Sequence, residues 1–339
     1  MKLSIIVSPL VGASLCPPYS QNEAGNATRE LVLNECPPTP RRYRSVTDNP
    51  AMHFKPYHEQ VGPVPPLDLT GYEATRMSGS AQFCGNHLTW LKNAWGGETT
   101  VVDLRMESHG FLDDQAVGLF CPRNWDRLHT KMDDLTKNEL DDFKKLAGQH
   151  SAIVYEKPHD SEKIQNRTQL KFTTARTEGS LLEAGNVKYV RIYMPDHRRP
   201  RDREVQQFVE LNESASTWLH FHCKAGKGRT TMAMIMRDML INHQLPAQTL
   251  IQRNNVYGRL NLTDIEKMRG TYKEHWVRER VAFLYMFYEF TKTRHPNLSW
   301  YDYLGQQSER YGAQMVQSLG SITCTKPVKL IIAGIEDDS

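Results

Sequence analysis

Residues 222–231 read HCKAGKGRTT, and they follow the apolar run STWLHF at 216–221. The run predicts a buried strand, and the strongly apolar stretch after the quoted residues predicts a helix. Between them stand one cysteine, Cys223, and two glycines, Gly226 and Gly228. Glycines permit a tight curve with inward backbone N–H groups, and the N-terminus of a helix adds its dipole. The stretch therefore predicts a phosphate-binding loop around a cysteine sulfur.

The chemistry of this loop centres on Cys223. Inward amides, the helix dipole and Arg229 would stabilise its thiolate, which is the nucleophilic form. Arg229 would bring a planar fork to two phosphoryl oxygens, and Thr230 could donate its hydroxyl to the sulfur. We expect in-line attack of Cys223 on a phosphate monoester, then hydrolysis of a phosphocysteine. A lone buried cysteine can also be a small hydrophobe, but that alternative does not account for the fixed spacing of the other loop residues.

Strands and helices alternate on both sides of this loop. TTVVDL, SAIVYE, VKYVRIYM and TWLHFHC read as strands, with helical patterns between them. Such alternation predicts an α/β fold with a central, mostly parallel sheet flanked by helices. Thr136 and Glu139 form a capping-box pattern that predicts a helix from there to about Ala147. Residues 156–174 fit neither pattern, and we expect a small β-rich insertion there.

Charge and cysteine content narrow the function classes. The 339 residues carry a formal net charge of only +3, yet four arginines at 198–203 lie close upstream of the loop lysines, where a polyanion could dock. The six cysteines are scattered without a CxxC pair, so neither structural zinc nor a disulfide framework is indicated. Reduced thiols are expected, although one bridge stays open. No apolar run approaches the roughly 20 residues that span a bilayer.

The ends of the chain differ in composition from its middle. No acidic residue precedes Glu23, and residues 1–40 are predicted to be a disordered N-terminal or uncleaved export segment. The alternative is a cleaved signal peptide beginning at MKLSIIVS. We expect a phosphatase domain at 41–305 and a C-terminal tail at 306–339.

Several motifs resemble one family in the right order. HCKAGKGRT resembles the signature of cysteine-dependent phosphatases of the protein tyrosine phosphatase superfamily, and its lysines match the loop of the phosphoinositide 3-phosphatase tumour suppressor. The wider context is more similar to bacterial protein-tyrosine-phosphatase-like phytases, through VVDLRMESHGFLD at 101–113, YVRIYMPDH at 189–197 and WLHFHCKAGKGRTT at 218–231. The similarity covers roughly residues 40–300.

The resemblance implies further site residues. Asp196 would be the general acid, a role that the poor leaving group of an inositol phosphate also demands; on sequence alone, an Asp beside a Pro is equally a turn former. His197 would contact a substrate phosphate or orient Asp196. The remaining implied substrate contacts are His222, Lys224, Ala225, Gly226, Lys227, Gly228, Arg44, Lys273 and Asp113. Asp113, and Asp103 with Arg105, would support the site from behind, or form a buried ion pair beneath it.

The expected function is hydrolysis of myo-inositol polyphosphates, with inositol hexakisphosphate first among substrates, and without a metal ion or other cofactor. Phosphotyrosine or phosphoinositide hydrolysis is the alternative that the loop lysines favour. A non-catalytic phosphate-binding protein is the third reading, which the presence of Cys223, Arg229 and Asp196 disfavours. No nucleic-acid or integral membrane partner is expected. The resemblance also suggests secretion or translocation into a host cell, with the periplasm as the alternative.

Overall fold

The computed structural model describes most of the chain. The described residues are 6–7, 29–125, 127–128, 130–157, 163–214, 217–295, 298–311 and 330–331. The cleavage site that the signal-peptide alternative implies, at Val11 and Ala13, lies outside them.

A five-stranded sheet forms the centre of the fold, in the spatial order β11–β5–β12–β4–β3. Its strands are β3 (Arg44–Ser45), β4 (Met77–Ala81), β5 (Thr99–Asp103), β11 (Lys188–Arg191) and β12 (Trp218–Cys223). All neighbours are parallel except β3, which runs antiparallel to β4 at the edge. In register, Cys223 lies opposite Ala81 and His222 opposite Asp103. The carboxyl ends of three strands therefore meet at one edge, where ligands bind in such sheets.

Helices cover this sheet as the sequence predicted. They are α1 (Ala51–Gln60), α2 (Leu88–Trp95), α3 (Met132–Ala147), α4 (Glu178–Ala184), α5 (Asp202–Ser214), α6 (Gly228–Ile241), α7 (Ala247–Gly258), α8 (Ile265–Met268), α9 (Glu274–Thr293) and α10 (Trp300–Tyr311). α6 is buried along nearly its whole length, and its methionines lie in the main core between the sheet and α9. Burying an apolar side chain of that size contributes about 1.5–3 kcal/mol, so this helix is held firmly at the end of the loop.

A second, six-stranded sheet was only partly foreseen. Its strands are β2 (Glu30–Leu33), β6 (His109–Leu112), β7 (Gln115–Phe120), β8 (Ser151–Glu156), β9 (Gln165–Lys171) and β10 (Ala175–Thr177), in the order β10–β6–β7–β2–β8–β9. All neighbours but β2 and β8 pair antiparallel. The β-rich part is therefore larger than the insertion expected at 156–174, and SAIVYE belongs to it rather than to the parallel sheet. The apolar run of β8 does not reveal which sheet buries it, because periodicity carries no information about the partner.

The helix start predicted at Thr136 was wrong. α3 begins four residues earlier, at Met132, and no side chain caps it. The Thr136 hydroxyl instead bonds the Tyr193 hydroxyl, and the Glu139 carboxylate accepts a bond from the backbone N–H of His109. Both side chains therefore serve tertiary contacts, which overrode the local capping pattern.

The expected domain limits also need correction. β2 pairs with β7 and includes residues inside the segment 1–40, so the folded unit starts before residue 41. α10 continues to Tyr311, past the expected tail boundary at 305/306. Outside these parts, β1 (Ile6–Val7) pairs antiparallel with β13 (Leu330–Ile331).

The expectation of reduced thiols fails for one pair. Cys36 and Cys84 form a disulfide with their Cα atoms 5.7 Å apart and 48 residues apart in sequence. Cys121 and Cys223 are buried and lie outside this disulfide. Sequence spacing cannot reveal such a bridge, because only the fold brings the two thiols together. No helix of the described residues is both long and apolar enough to cross a bilayer.

Candidate active site

The loop between β12 and α6 curves as the glycines predicted. Gly226 adopts a φ of +65°, and a Cβ atom there would lie 2.5 Å from the backbone nitrogen of Ala81. Both the backbone conformation and the close approach of β4 therefore require glycine. Gly228 has no such φ and opens the helix. The curve places Cys223, which is 3% exposed, at its base.

Thr230 contacts the sulfur directly. Its hydroxyl donates to Cys223 Sγ at 3.1 Å from the first turn of α6. This is the contact expected from the sequence. It supplies a donor that stabilises a negative sulfur without a formal charge.

Arg229 is oriented by a carboxylate that the sequence analysis missed. Its Nη1 and Nη2 donate to the two oxygens of Glu107 at 2.7 and 2.9 Å. Arg105 Nε also donates to Glu107, at 2.9 Å. Burial opposes the charge of this carboxylate, but Arg229 and Arg105 hold its pKa well below the usual range. The guanidinium keeps one edge, formed by Nε and Nη2, that a phosphoryl group can use.

Asp196 lies beside that edge. Its Oδ1 is 3.4 Å from Arg229 Nε, and its Oδ2 accepts a bond from Asn124 Nδ2 at 2.9 Å. Trp125 Nε1 donates to the Asp196 carbonyl at 2.9 Å. Burial raises the pKa of Asp196, but Arg229 and His197 outweigh it, so the pKa lies below its ordinary value.

His197 joins this group through backbone and ring. Its backbone N–H donates to Asp196 Oδ1 at 3.1 Å, and its ring lies 3.8 Å from Oδ2. Burial lowers the pKa of His197, and nearby Lys273 and Arg229 lower it further despite Asp196. A neutral imidazole at this place can accept or donate one bond without adding charge. Of the two roles expected for His197, its contacts with Asp196 fit orientation of the acid.

Cations surround the mouth of the loop. Lys224 lies over the Phe120 ring at 5.5 Å, and burial, with Arg105 and Lys157, lowers its pKa to about 7. Lys227 is the residue before α6 and is half-buried, as is Lys273 before α9. The sequence analysis missed Arg280, on α9, whose guanidinium lies 3.3 Å from the Cβ position of Gly228. Burial lowers the pKa of Arg280 to about 10, which leaves it charged at neutral pH.

Three predicted substrate contacts were placed wrongly. Arg44 lies behind the loop, 1% exposed, and donates to the Gly226 carbonyl at 2.9 Å and to the Thr231 hydroxyl at 3.1 Å. It braces the loop instead of facing a ligand. Asp113, in the β6–β7 turn, accepts bonds from the backbone N–H groups of Thr173 and Thr174. Its contacts therefore hold the second sheet. The residue types alone could not distinguish these positions from the front of the loop.

The third of these predicted substrate contacts is His222, whose imidazole is fully buried under the loop. Its Nε2 lies 2.6 Å from Glu178 Oε1. The neighbouring His220 contacts the hydroxyls of Ser78 and Ser80 on β4, at 2.9 and 3.1 Å. Both imidazoles support the strands below the phosphate position, rather than the loop itself.

Asp103, His109, Glu178 and His222 together form a cluster that we call the buried histidine network. His109 Nε2 lies 3.1 Å from Asp103 Oδ2 and 3.4 Å from Glu178 Oε2, while its Nδ1 lies 2.9 Å from the Glu107 carbonyl. Burial lowers the pKa of His109, yet Asp103 reverses this and raises it to about 9. Arg105 forms its side-chain ion pair with Glu107. The sequence analysis had considered a buried ion pair of Arg105 with Asp103 instead.

Three residues of the same network are of types that bind divalent cations. One ligand atom each from Asp103, His109 and Glu178 lies within 4.8 Å of the others. Both carboxylates already accept other bonds, from the Tyr189 hydroxyl to Asp103 and from the Gln82 amide to Glu178. A protonated His109 supplies the positive charge that these carboxylates need.

The arrangement as a whole is suited to phosphoryl transfer. The Cys223 sulfur lies at the base of the curved loop, the Arg229 guanidinium interacts with it electrostatically, and the Asp196 carboxyl lies beside Arg229 Nε. A phosphoryl group bound by the loop and the guanidinium would be close to both the sulfur and the carboxyl.

The chain is similar to several known proteins. A family model described as PTP-like phytase, inositol hexakisphosphate, matches residues 102–241. Effector protein hopD2 of Pseudomonas syringae pv. tomato is 30% identical over 211 residues, which is 60% of this chain and 45% of hopD2. The chain thus spans less than half of that relative.

Two solved structures have similar folds. The PTP-like myo-inositol phosphatase from Mitsuokella multacida, in complex with myo-inositol-(1,3,4,5)-tetrakisphosphate, has a TM-score of 0.74 at 25% identity and covers 85% of this chain, while the chain covers 49% of it. A PTP-like phytase from Bdellovibrio bacteriovorus has a TM-score of 0.61 at 29% identity, over 82% of this chain and 96% of its own. Fold, loop and family match point the same way: the chain is similar to the protein-tyrosine-phosphatase-like phytases, and its residues 102–241 match their family model.

Proposed function

We propose that this protein hydrolyses phosphate monoesters of myo-inositol polyphosphates through a phosphocysteine intermediate, with inositol hexakisphosphate as a substrate. The observation that carries the proposal is the shared position of Cys223, Thr230, Arg229 and Asp196 around one curved loop. Each supplies one function that the reaction needs: nucleophile, donor to sulfur, oxyanion binder and acid.

In the first step the Cys223 thiolate forms a bond to phosphorus while the bond from phosphorus to the inositol oxygen breaks. The loop amides and the free edge of Arg229 stabilise the charge on the equatorial oxygens. Asp196 gives its proton to the leaving oxygen. In the free enzyme Arg229 keeps Asp196 ionised, but a bound phosphate dianion shares that guanidinium and favours the protonated acid.

In the second step water attacks the phosphocysteine. Asp196, now a carboxylate, takes a proton from the water as the oxygen–phosphorus bond forms. The sulfur–phosphorus bond breaks and the electrons return to Cys223. Thr230 donates its hydroxyl to the departing sulfur, which eases this step.

The surrounding cations support a polyphosphate substrate. Each phosphate group carries about −1.5 to −2 charges near neutrality. Lys224, Lys227, Lys273 and Arg280 lie around the loop, more positive charge than a single phosphate needs. The M. multacida relative, solved with an inositol tetrakisphosphate, supports the same substrate class.

The loop lysines are the observation that favours the alternative, a phosphotyrosine or phosphoinositide phosphatase. A direct comparison separates the two. The full chain is incubated, with chelator present, with inositol hexakisphosphate, a phosphotyrosine peptide or phosphoinositide vesicles, and phosphate release is followed. We expect the highest kcat/KM on inositol hexakisphosphate. Comparable or faster turnover of the peptide or the vesicles contradicts the proposed substrate class.

Whether the protein is a catalyst at all is tested separately from which substrate it prefers. Cys223→Ser should abolish turnover of every substrate, whereas a protein that merely captures phosphate would have none to lose. Chelator alone should leave activity unchanged, since no step needs a metal ion.

We also propose that the chain is exported and acts inside a host cell, as the effector name of hopD2 suggests for that relative. The domain at 29–311 would then carry the activity. A reporter enzyme fused to the C-terminus should be delivered into plant cells only by a bacterium with a working injection apparatus. Accumulation in the periplasm instead supports the alternative location.

A further inference from the structure

We propose that Asn124 and Trp125 form a clamp that positions the Asp196 carboxyl and lets it exchange a proton without losing its hydrogen bond. The proposal rests on the general-acid role proposed above for Asp196. Both residues belong to the short turn Pro122–Trp125 that follows β7, in a part of the chain about 70 residues from the acid. No sequence motif connects the two segments.

The first argument is geometric. The clamp bonds the backbone and the side chain of one residue: Trp125 Nε1 to the Asp196 carbonyl, and Asn124 Nδ2 to Asp196 Oδ2, both at 2.9 Å. Asn124 is 7% exposed and Trp125 5%. Two short bonds from one buried turn fix both the loop and the direction of its carboxyl group.

Backbone conformation gives a second argument. Arg123 and Asn124 have φ values of +62° and +56°, and His197 on the opposite side of the contact has +64°. Residues other than glycine rarely adopt these backbone angles. Such angles persist where several surrounding contacts hold the backbone in place. Positive φ values on both sides of this contact indicate that the turn and the acid loop are held in place by their mutual contacts.

The surrounding contacts are a stack of rings and guanidinium groups from three segments. The Arg198 guanidinium lies 3.9 Å from the centroid of the Trp276 ring, and Trp125 meets Trp276 edge to face at 5.6 Å. The Arg123 guanidinium lies 4.8 Å from the Tyr272 ring. Cation–π contacts of this kind hold the turn, the acid loop and the start of α9 in one position.

The third argument concerns the amide of Asn124. Its Nδ2 donates to the carboxylate, but its Oδ1 is buried and has no hydrogen-bond partner among the described residues. A buried carbonyl without a donor is rare in folded proteins. When Asp196 becomes protonated, its O–H needs an acceptor, and rotation of the amide by half a turn offers Oδ1 at the same place. An asparagine can serve both states of the acid without changing its own charge, which neither Asp nor Leu can do.

Other charges act on the same carboxyl group and must be held constant in a test. From the elements packed against it, they are Arg229 and Lys224 on the phosphate-binding loop, Glu107 after β5, His197 beside it and Arg280 on α9. None of them is changed by substitution at 124 or 125.

The test compares two substrates that differ in leaving group. Asn124→Leu keeps the size of the side chain and removes both polar atoms, and Trp125→Phe removes only the indole N–H. On inositol hexakisphosphate we expect kcat/KM to fall about 10- to 100-fold for Asn124→Leu and less for Trp125→Phe, because a misplaced acid transfers its proton poorly. On an activated aryl phosphate, whose leaving group needs no proton, kcat/KM should stay close to that of the unmodified protein, because it does not include hydrolysis of the phosphocysteine.

The pH profile adds a readout that a purely structural role would not move. Asn124→Asp places a second carboxyl against Asp196 and disfavours its ionisation, so the basic limb of kcat/KM on inositol hexakisphosphate should move to higher pH. Asn186→Leu is the matched control, because Asn186 is also in the left-handed region, at φ +53°, but lies exposed between α4 and β11. It should leave kcat/KM on both substrates and the pH profile unchanged.

Asp196→Asn separates failure of this inference from failure of the proposed function. If Asp196→Asn loses kcat/KM only on the poor leaving group while Asn124→Leu behaves like the unmodified protein, the clamp is wrong and the acid stands. If Asp196→Asn keeps full kcat/KM on both substrates, the general-acid role itself is wrong. Equal loss of kcat/KM on both substrates by Asn124→Leu also contradicts the clamp, since that is the signature of general damage.

Discussion

The front and the back of the phosphate-binding loop each hold a buried arginine, and the two have different partners. On the front, Arg229 binds the two oxygens of Glu107 and keeps one edge toward Asp196. On the back, Arg44 donates to the carbonyl of Gly226 and the hydroxyl of Thr231, which are neutral groups of the loop and its helix. An arginine beside this loop can bind phosphate only if its orientation leaves an edge open to the sulfur. Charge and burial alone do not distinguish the two.

The largest expected difference in kcat is between two substitutions of arginine by lysine, one on the front of the loop and one on its back. Arg229→Lys should lower kcat about 10²- to 10³-fold, because a point charge cannot replace a bidentate fork at the developing negative charge. Arg44→Lys should leave kcat nearly unchanged and lower the free energy of unfolding by about 1–3 kcal/mol, since buried acceptors lose a donor. Steady-state kinetics and denaturant unfolding of both variants test this. A similar loss of kcat for Arg44→Lys would mean that Arg44 faces the substrate after all.

The second-largest effect is expected from a substitution that disturbs the curvature of the loop. Gly226→Ala adds a methyl group 2.5 Å from the Ala81 nitrogen at a φ of +65°, so loop and β4 must separate. We expect a loss of stability of about 1–3 kcal/mol and at least a tenfold loss of kcat. Gly270→Ala is the matched control, because its φ is +74° but nothing lies within 4 Å of the added atom. It should cost stability alone; an equal loss of kcat there would show that the effect is not local to the loop.

The buried histidine network behind the loop should control the pH dependence of stability. The pKa of His109 is raised from 6.5 to about 9 in the folded protein. A raised pKa means that the folded state binds the proton more tightly, so the stabilisation is complete below pH 6.5 and is lost as the pH rises through 9. Urea unfolding of the full chain should therefore show a falling free energy of unfolding across this window. His109→Gln should flatten the curve there, and an unchanged slope in that variant would contradict the assignment.

Lys224, on the front, should respond to pH in substrate binding instead. Because its pKa is lowered to about 7, part of its charge is lost as the pH rises above neutrality. KM for inositol hexakisphosphate should then rise a few-fold between about pH 6 and 8, while Lys224→Arg, which cannot lose its proton in this range, should show a smaller rise. The same rise in both proteins would assign the effect to another group.

Much of the centre of this fold could be predicted from local patterns. The apolar run of β12, the two glycines and the apolar α6 are adjacent in sequence, so the loop and its nucleophile are local features. The strands of the second sheet could not be assigned to it from the sequence, because β8 is an apolar run like those of the first sheet and β9, QNRTQLK, is polar. The disulfide and the true start of α3 depend on contacts across the fold, and no local signal carries them.

The site residues also fall into two groups, those close together in sequence and those brought together only by the fold. Cys223, Thr230 and Arg229 lie within one loop, and the structure brings them together as expected. Glu107, Asn124 and Trp125 come from elsewhere in the chain, and only contacts across the fold bring them to Arg229 and Asp196. Glu107 had one usable signal, since it follows β5 at the carboxyl edge of the sheet, where ligand-binding residues gather. Arg44 and Asp113 were misplaced because the residue type does not tell which side of a loop it contacts.

The phosphocysteine is the central claim, and trapping it is the most direct test. In Asp196→Asn an activated aryl phosphate still loses its leaving group without an acid, while hydrolysis of the intermediate lacks its base. Acid quenching within the first turnover, followed by intact-mass and peptide analysis, should reveal one phosphoryl group on Cys223 and a burst of aryl alcohol equal to the enzyme concentration. Release of phosphate without a burst, or a phosphoryl group on any other residue, would contradict the mechanism.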